Sequence, residues 1–308
     1  MDDSTGFFDH QVNGYGGVDF NQEDLAAGDL HAVCERLAAD GVGGILATFT
    51  TETLAKMVRR MANLVALRER DPLARRIIAG LHIEGPFISP LDGYRGAHPA
   101  DAVRPASADE MRRLLDAGGG LVRLVTLAPE CDEGLRLTRL LVRDGIVASA
   151  GHCDPTLDQL RAAADAGLSM FTHLGNGCAD QVHRHDNIIH RALSLYDRLW
   201  LCFIADGVHV PVPALGNCLR AAGMERAVVV TDAVTPAGLG PGTYRQGRFQ
   251  VRVAENDAAR MMDGSLIGAA ITMRQSVRNL VERLGLSEAD ARRLTVTNPR
   301  RAIGLEAG

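Results

Sequence analysis

The stretch GIVASAGHCDPTLDQLRAAADAGLSMFTHLGN, residues 145–176, carries the pattern on which the fold turns. GIVASAGH (145–152) and LSMFTHLGN (168–176) are short apolar runs that each deliver a histidine near their carboxyl end. Between them, TLDQLRAAADAG (156–167) spaces its apolar residues as a helix does. Strand, helix, strand is the unit of a parallel sheet, and runs apolar on both faces are what its buried strands require.

The unit repeats outward in both directions. FFDHQVNG (7–14), GVGGILATFT (41–50), IIAGLHIEG (77–85) and GLVRLVTLAP (120–129) precede it; LWLCFIADG (199–207) and RAVVVTDA (226–233) follow. Helical periods separate them, among them 30–40, 52–70, 108–118 and 133–145. Two more, 265–285 and 287–305, close the chain, with Ser287 as an N-cap before acidic first-turn residues. Eight strand–helix pairs without a break in composition predict a single α/β domain over 1–308, a (β/α)8 TIM barrel; an open doubly wound sheet is the alternative. Residues 235–263 are too long for a plain connection. There YRQGRFQVRV alternates like a β-hairpin, so a small β excursion is expected on the side of the barrel that carries chemistry.

Composition excludes several classes. The 308 residues are 46% hydrophobic and 23% charged, with net charge −5, as in an ordinary globular chain. No basic run and only 4% aromatic residues argue against nucleic acid. No apolar stretch reaches the roughly 20 residues of a membrane span, and no signal segment opens the chain, so a cytoplasmic protein is expected. The six cysteines lack a C-x-x-C pair and read as reduced thiols. The glycine clusters GYGG (14–17) and DAGGG (116–120) match no phosphate-loop pattern and read as turns.

In such a barrel the active site lies at the carboxyl ends of the strands. There the sequence places His82 and Glu84, His152, His173, Asp206 and His209, and Asp232. Burying that many ionisable groups for packing alone is costly. Glu84, His152 and His173 form a two-histidine, one-carboxylate set suited to one divalent metal, Zn²⁺ or Fe²⁺, with a position left for water. Asp232 is the candidate general base; its alternatives are an N-cap or a histidine's partner.

The first strand holds Gln11 and Asn13 where many metal-dependent hydrolase barrels have His-x-His, with His10 one place out of register. By strand alternation Gln11 and Asn13 face the barrel mouth and His10 faces the surrounding helices. The pair is expected to order the surroundings of a metal-bound water at a one-metal site.

With these residues in view, the chain resembles the N-acetylglucosamine-6-phosphate deacetylases of the amidohydrolase superfamily. The likeness runs, in order, through FFDHQVNG, LHIEGPFISP, GYRGAHP, GHCDPTLDQL, THLGNG, ADGVHV, VVTDAVTPAGLGPGTY, DGSLIGAAITM and TNPRRAIGL. The resemblance implies a cytoplasmic enzyme of amino sugar metabolism that removes the acetyl group from an N-acetylated amino sugar. Glu84, His152 and His173 would hold the metal, Asp232 would act as base and then acid, and His98 would bond the acetyl oxygen. Asn176, Gly177 and His209 would contact the sugar or its phosphate, and Arg184 would bind phosphate, in some members at a neighbouring subunit's site.

The sequence departs from the family's pattern in three places. The small β domain normally built from both ends of the chain is expected to be absent, and a homodimer is expected to cover the exposed surface. LGNGC (174–178) puts glycines where larger residues are usual, which is expected to open space beside the substrate. HRHDNIIHR (183–191) replaces a Pro-Gly stretch and reads as a loop. The second and third changes leave the exact sugar open. A different acetamido sugar, a sugar-binding barrel without catalysis and a deaminase of heterocyclic bases are the other readings.

Overall fold

The computed structural model describes residues 6–255 and 258–305. Eight parallel strands form one sheet in sequential order: β1 (Phe7–Val12), β2 (Val42–Thr50), β3 (Ile78–Glu84), β4 (Val122–Leu127), β5 (Val147–Ala150), β6 (Met170–Phe171), β7 (Trp200–Ile204) and β8 (Ala227–Val230). The sheet closes as a TIM barrel where Val12 bridges Ala233 and the Asn13 N–H donates to the Ala233 carbonyl at 2.7 Å. The Asp9 carboxylate completes the seam by accepting the Thr231 hydroxyl at 2.5 Å and the Thr231 N–H at 3.2 Å. Burial pushes the Asp9 carboxyl up to about 6.

The strands run further in the sequence reading than in the structure, because strand-end residues there are free to turn into the site. The barrel is filled in layers. At the amino end Phe8, Leu46, Leu124, Met170, Cys202, Ile204, Val228 and Val230 form one apolar cluster. Alternate residues of the same strands, such as Ile45, Ala47 and Phe49, pack outward with the helices. Above the apolar plug lies a polar layer. His82 joins Thr48 (3.3 Å) to Thr126 (2.8 Å), Thr126 meets Thr172 (2.7 Å), and Thr172 meets Ser149 (2.7 Å). Burial lowers the His82 imidazole to about 4, which keeps it neutral among hydroxyls.

Two sequence expectations are corrected. Residues 265–272 are not helical: Ala269 bridges Ala233 as an extended segment, and the helix begins only at Met273, capped by Thr272. Gly264 and Gly268 have φ of 90° and 52°, and at Gly268 a Cβ would stand 2.7 Å from the Asp232 carbonyl, so the glycine permits this close passage. In the 183–191 stretch, Ile188–Leu193 is helical, and Asn187 caps it through a bond from the His190 N–H. Ser287 does cap its helix, accepting from the Asp290 N–H at 3.0 Å.

The excursion after β8 is a three-stranded antiparallel sheet of β9 (Gly242–Gln246), β10 (Phe249–Val253) and β11 (Ala259–Met261). Its first turn is pinned over the barrel mouth. Buried Asp19 accepts from Gln246 Nε2 (2.8 Å) and the Gly247 N–H (2.5 Å), and Arg248 bonds Glu52 and Asp101. Among the described residues no helix is long and apolar enough to cross a membrane.

The last helix, Asn298–Ala302, is tied to the barrel by the Asn298 side-chain amide, which donates to the carbonyls of Met224 and Ala227, both at 2.7 Å. Asn298→Ala strands both buried acceptors and should cost about 2 kcal/mol, a fall in Tm of about 3 °C for a chain of this length. Asn298→Leu, which keeps the approximate shape but cannot donate, should match it in a thermal melt. An unchanged Tm in both variants would show that these bonds do not hold the helix.

Candidate metal centre and its cavity

Glu84 is the last residue of β3, while His152, His173 and Asp232 each stand two residues beyond the last residue of β5, β6 and β8. The latter three have left-handed φ of 50°, 31° and 52°. Among the described residues Leu135 is the one other non-glycine residue with positive φ. Such a backbone costs about 1–2 kcal/mol per residue and persists where the surroundings impose it.

The side chains meet at one point. His173 Nε2 lies 2.9 Å and His152 Nε2 3.2 Å from Glu84 Oε1, and the two nitrogens are 3.1 Å apart. His98 Nε2 stands 3.2 Å from His152 Nε2, and ligand atoms of Glu84, His98 and His152 fall within 4.8 Å of one another. His152 Nδ1 donates to the Tyr94 carbonyl at 3.0 Å, which leaves Nε2 as the ring nitrogen turned toward the centre. Nε2 faces a carboxylate oxygen, an arrangement suited to a cation. Donors about 2.0–2.1 Å from a tetrahedral Zn²⁺ are about 3.3 Å apart, close to the spacings seen here. The donor set therefore fits a divalent ion.

Electrostatics divide the two carboxylates. Burial pushes Glu84 upward, yet hydrogen bonds and charge from His152 and His173 bring its carboxyl well below the usual range. Burial, and then the Glu84 charge, push Asp232 up to about 7. One carboxylate is suited to holding positive charge and the other to exchanging a proton. His98 is lowered to about 3 by burial and then by His152, so it is neutral.

Gln11 and Asn13 serve these carboxylates. Gln11 Nε2 donates to both Glu84 oxygens at 3.0 Å, and Asn13 Nδ2 donates to Asp232 Oδ1 at 2.7 Å. His10 turns away: its Nε2 bonds the Pro299 carbonyl in the last helix at 2.6 Å. A register shift between Asp9 and Val12 interrupts simple alternation in β1.

A cavity of about 610 Å³ opens above the centre. Asn13, Glu84, His98, His152, His173, Asn176, Gly177, His209 and Asp232 line it. His209 is oriented by Asp206, which accepts its Nδ1–H at 2.6 Å and two backbone N–H groups at 2.9 Å. Arg184 is exposed and is not part of this lining. Both glycines of LGNGC line the cavity, and Gly177 also admits a histidine. A Cβ on Gly177 would stand 2.8 Å from His152 Nδ1, so the imidazole fills that space. Sequence reasoning missed Thr51 and Arg248, both in the lining; each sits on a turn whose approach to the site is set by tertiary contacts.

No family model matches the chain. It is similar to the N-acetylglucosamine-6-phosphate deacetylase of Bacillus subtilis, 32% identical over 94% of this chain and 73% of the relative. It is also similar to the N-acetylgalactosamine-6-phosphate deacetylase of Escherichia coli O157:H7, 31% identical over 97% and 78%. Among solved structures, a mutant N-acetyl-D-glucosamine-6-phosphate deacetylase from Mycobacterium smegmatis in complex with N-acetyl-D-glucosamine-6-phosphate superposes with TM-score 0.88. The two are 33% identical, over 98% of this chain and 77% of that one. The enzyme from Thermotoga maritima gives 0.85 at 30% identity, over 98% and 78%.

One divalent ion bound by the native state at a hundred times its Kd should add about 2.7 kcal/mol of stability. A Zn²⁺ titration followed by thermal melting should show this rise, and Glu84→Gln or His173→Ala should abolish it. An equal rise in both variants would place the ion elsewhere.

Proposed function

The chain belongs to the N-acetylglucosamine-6-phosphate deacetylase family, and from this premise we propose that it hydrolyses the acetamide of N-acetylglucosamine 6-phosphate to amino sugar phosphate and acetate. The observation that carries the reading is the convergence of Glu84, His152, His173 and Asp232 at the mouth of the barrel. Three of the four are held there by left-handed backbone.

Glu84, His152 and His173 hold one divalent ion, with Zn²⁺ our assignment and Fe²⁺ the alternative. When bound, that ion lowers the pKa of a water and polarises a carbonyl. The protein's own groups do the rest. Asp232 takes the proton from the attacking water and returns it to the departing nitrogen, so the C–N bond breaks as a C–O bond forms. Asn13 occupies Asp232 Oδ1 and leaves the other oxygen for this exchange. Gln11 keeps Glu84 aimed at the centre. His98 donates to the acetyl oxygen as charge gathers there. Asn176, Gly177 and His209 face the sugar and its phosphate.

Arg184, exposed and outside its own cavity, fits a role across a homodimer, reaching the phosphate in the second subunit's site. The E. coli relative's name keeps a second reading open, in which another acetamido sugar phosphate is the preferred substrate.

Asp232→Asn should lower kcat by about 10²–10⁴-fold while metal content stays at one ion per chain; near-full activity would remove Asp232 as base. Arg184→Ala should raise KM for phosphorylated sugars and leave unphosphorylated ones unaffected. An equal KM change for both kinds of sugar, or none, would remove Arg184 from the phosphate site.

A further inference from the structure

His98 is useful as a donor to an acetyl oxygen only if its Nε2 carries the proton, and a neutral imidazole has two tautomers. The Thr51 hydroxyl faces His98 Nδ1 at 2.7 Å, and the direction of that bond decides between them: a hydroxyl that donates to Nδ1 leaves the ring proton on Nε2.

Thr51 has one proton to give. Its other neighbour, the Glu84 carbonyl, is 3.4 Å away, beyond the usual 2.5–3.0 Å for such a bond. The short contact to His98 takes the proton. Space for the hydroxyl is made by Gly85: a Cβ there would stand 2.1 Å from Thr51 Oγ1. Both Thr51 and His98 are buried, which holds the hydroxyl against Nδ1.

We propose that Thr51 is a positioning residue that fixes His98 in the tautomer whose Nε2–H points into the cavity. Thr51 itself transfers nothing; it acts through His98. The proposal rests on the reading of His98 as the donor to the acetyl oxygen, and the test separates the two.

The zinc-loaded enzyme is compared with Thr51→Val, Thr51→Ser, His98→Gln and the double variant Thr51→Val/His98→Gln. Nitrogen-15 NMR of the ring, assigned by its loss in His98→Gln, should show Nε2–H in the wild type and in Thr51→Ser. Thr51→Val should move the proton wholly or partly to Nδ1. In turnover, Thr51→Val should lower kcat by about 10²-fold, the scale of losing one oxyanion donor, with little change in KM; Thr51→Ser should restore it. Adding Thr51→Val to His98→Gln should cost nothing more. Nδ1–H in the wild type, an unchanged tautomer in Thr51→Val, or a full additional loss in the double variant would each overturn the proposal. Near-wild-type turnover by His98→Gln would instead overturn the role of His98 while the tautomer measurement still judges Thr51.

Discussion

Two imidazole nitrogens held against one buried carboxylate oxygen are the constraint on which this structure turns. His173 Nε2 and His152 Nε2 lie 2.9 and 3.2 Å from Glu84 Oε1, and the Tyr94 carbonyl accepts from the far side of the His152 ring. Crowding buried ionisable groups in this way is costly, so the fold holds them by force from outside. The force is visible in the left-handed φ of His152, His173 and Asp232, and in Gln11, which grips both oxygens of Glu84. It is visible also in the clearance at Gly177, where a side chain would collide with the His152 ring. A barrel can impose this because each group comes from a different strand of one closed sheet, and no single turn must supply all of them.

The interior beneath the rim supports the same arrangement. An apolar plug fills the amino end, and above it lies the layer of Thr48, His82, Thr126, Thr172 and Ser149. Hydroxyls can donate or accept as their neighbours require, so this layer passes from aliphatic packing to ionisable groups without leaving a buried donor orphaned. The contrast between the carboxylates follows from their partners. Glu84 has two histidines and stays ionised; Asp232 has burial and a neighbouring negative charge and rises to about 7.

Much of this was legible in the sequence, for specific reasons. Strands buried on both faces leave continuous apolar runs, so all eight were found, and residues at their carboxyl ends announce themselves by being polar beside such runs. Gln11 and Asn13 could be placed at the mouth by alternation, and their protein partners are Glu84 and Asp232. The misreadings have physical causes too. Residues 265–272 look amphipathic, but Gly264 and Gly268 let the chain pass under Asp232 as an extended segment. Both glycines of LGNGC line the cavity, and Gly177 also makes room for a histidine. Backbone conformation at His152, His173 and Asp232, and the contact of Thr51 with His98 across 47 positions of sequence, leave no local pattern to read.

The most direct measurement counts metal and acetate together. Protein stripped of metal and reloaded in steps with Zn²⁺ should release acetate from N-acetylglucosamine 6-phosphate in proportion to bound ion, reaching its limit at one ion per chain. Full acetate release by rigorously metal-free protein, or none at any loading from this or any other acetamido sugar phosphate, would contradict the account.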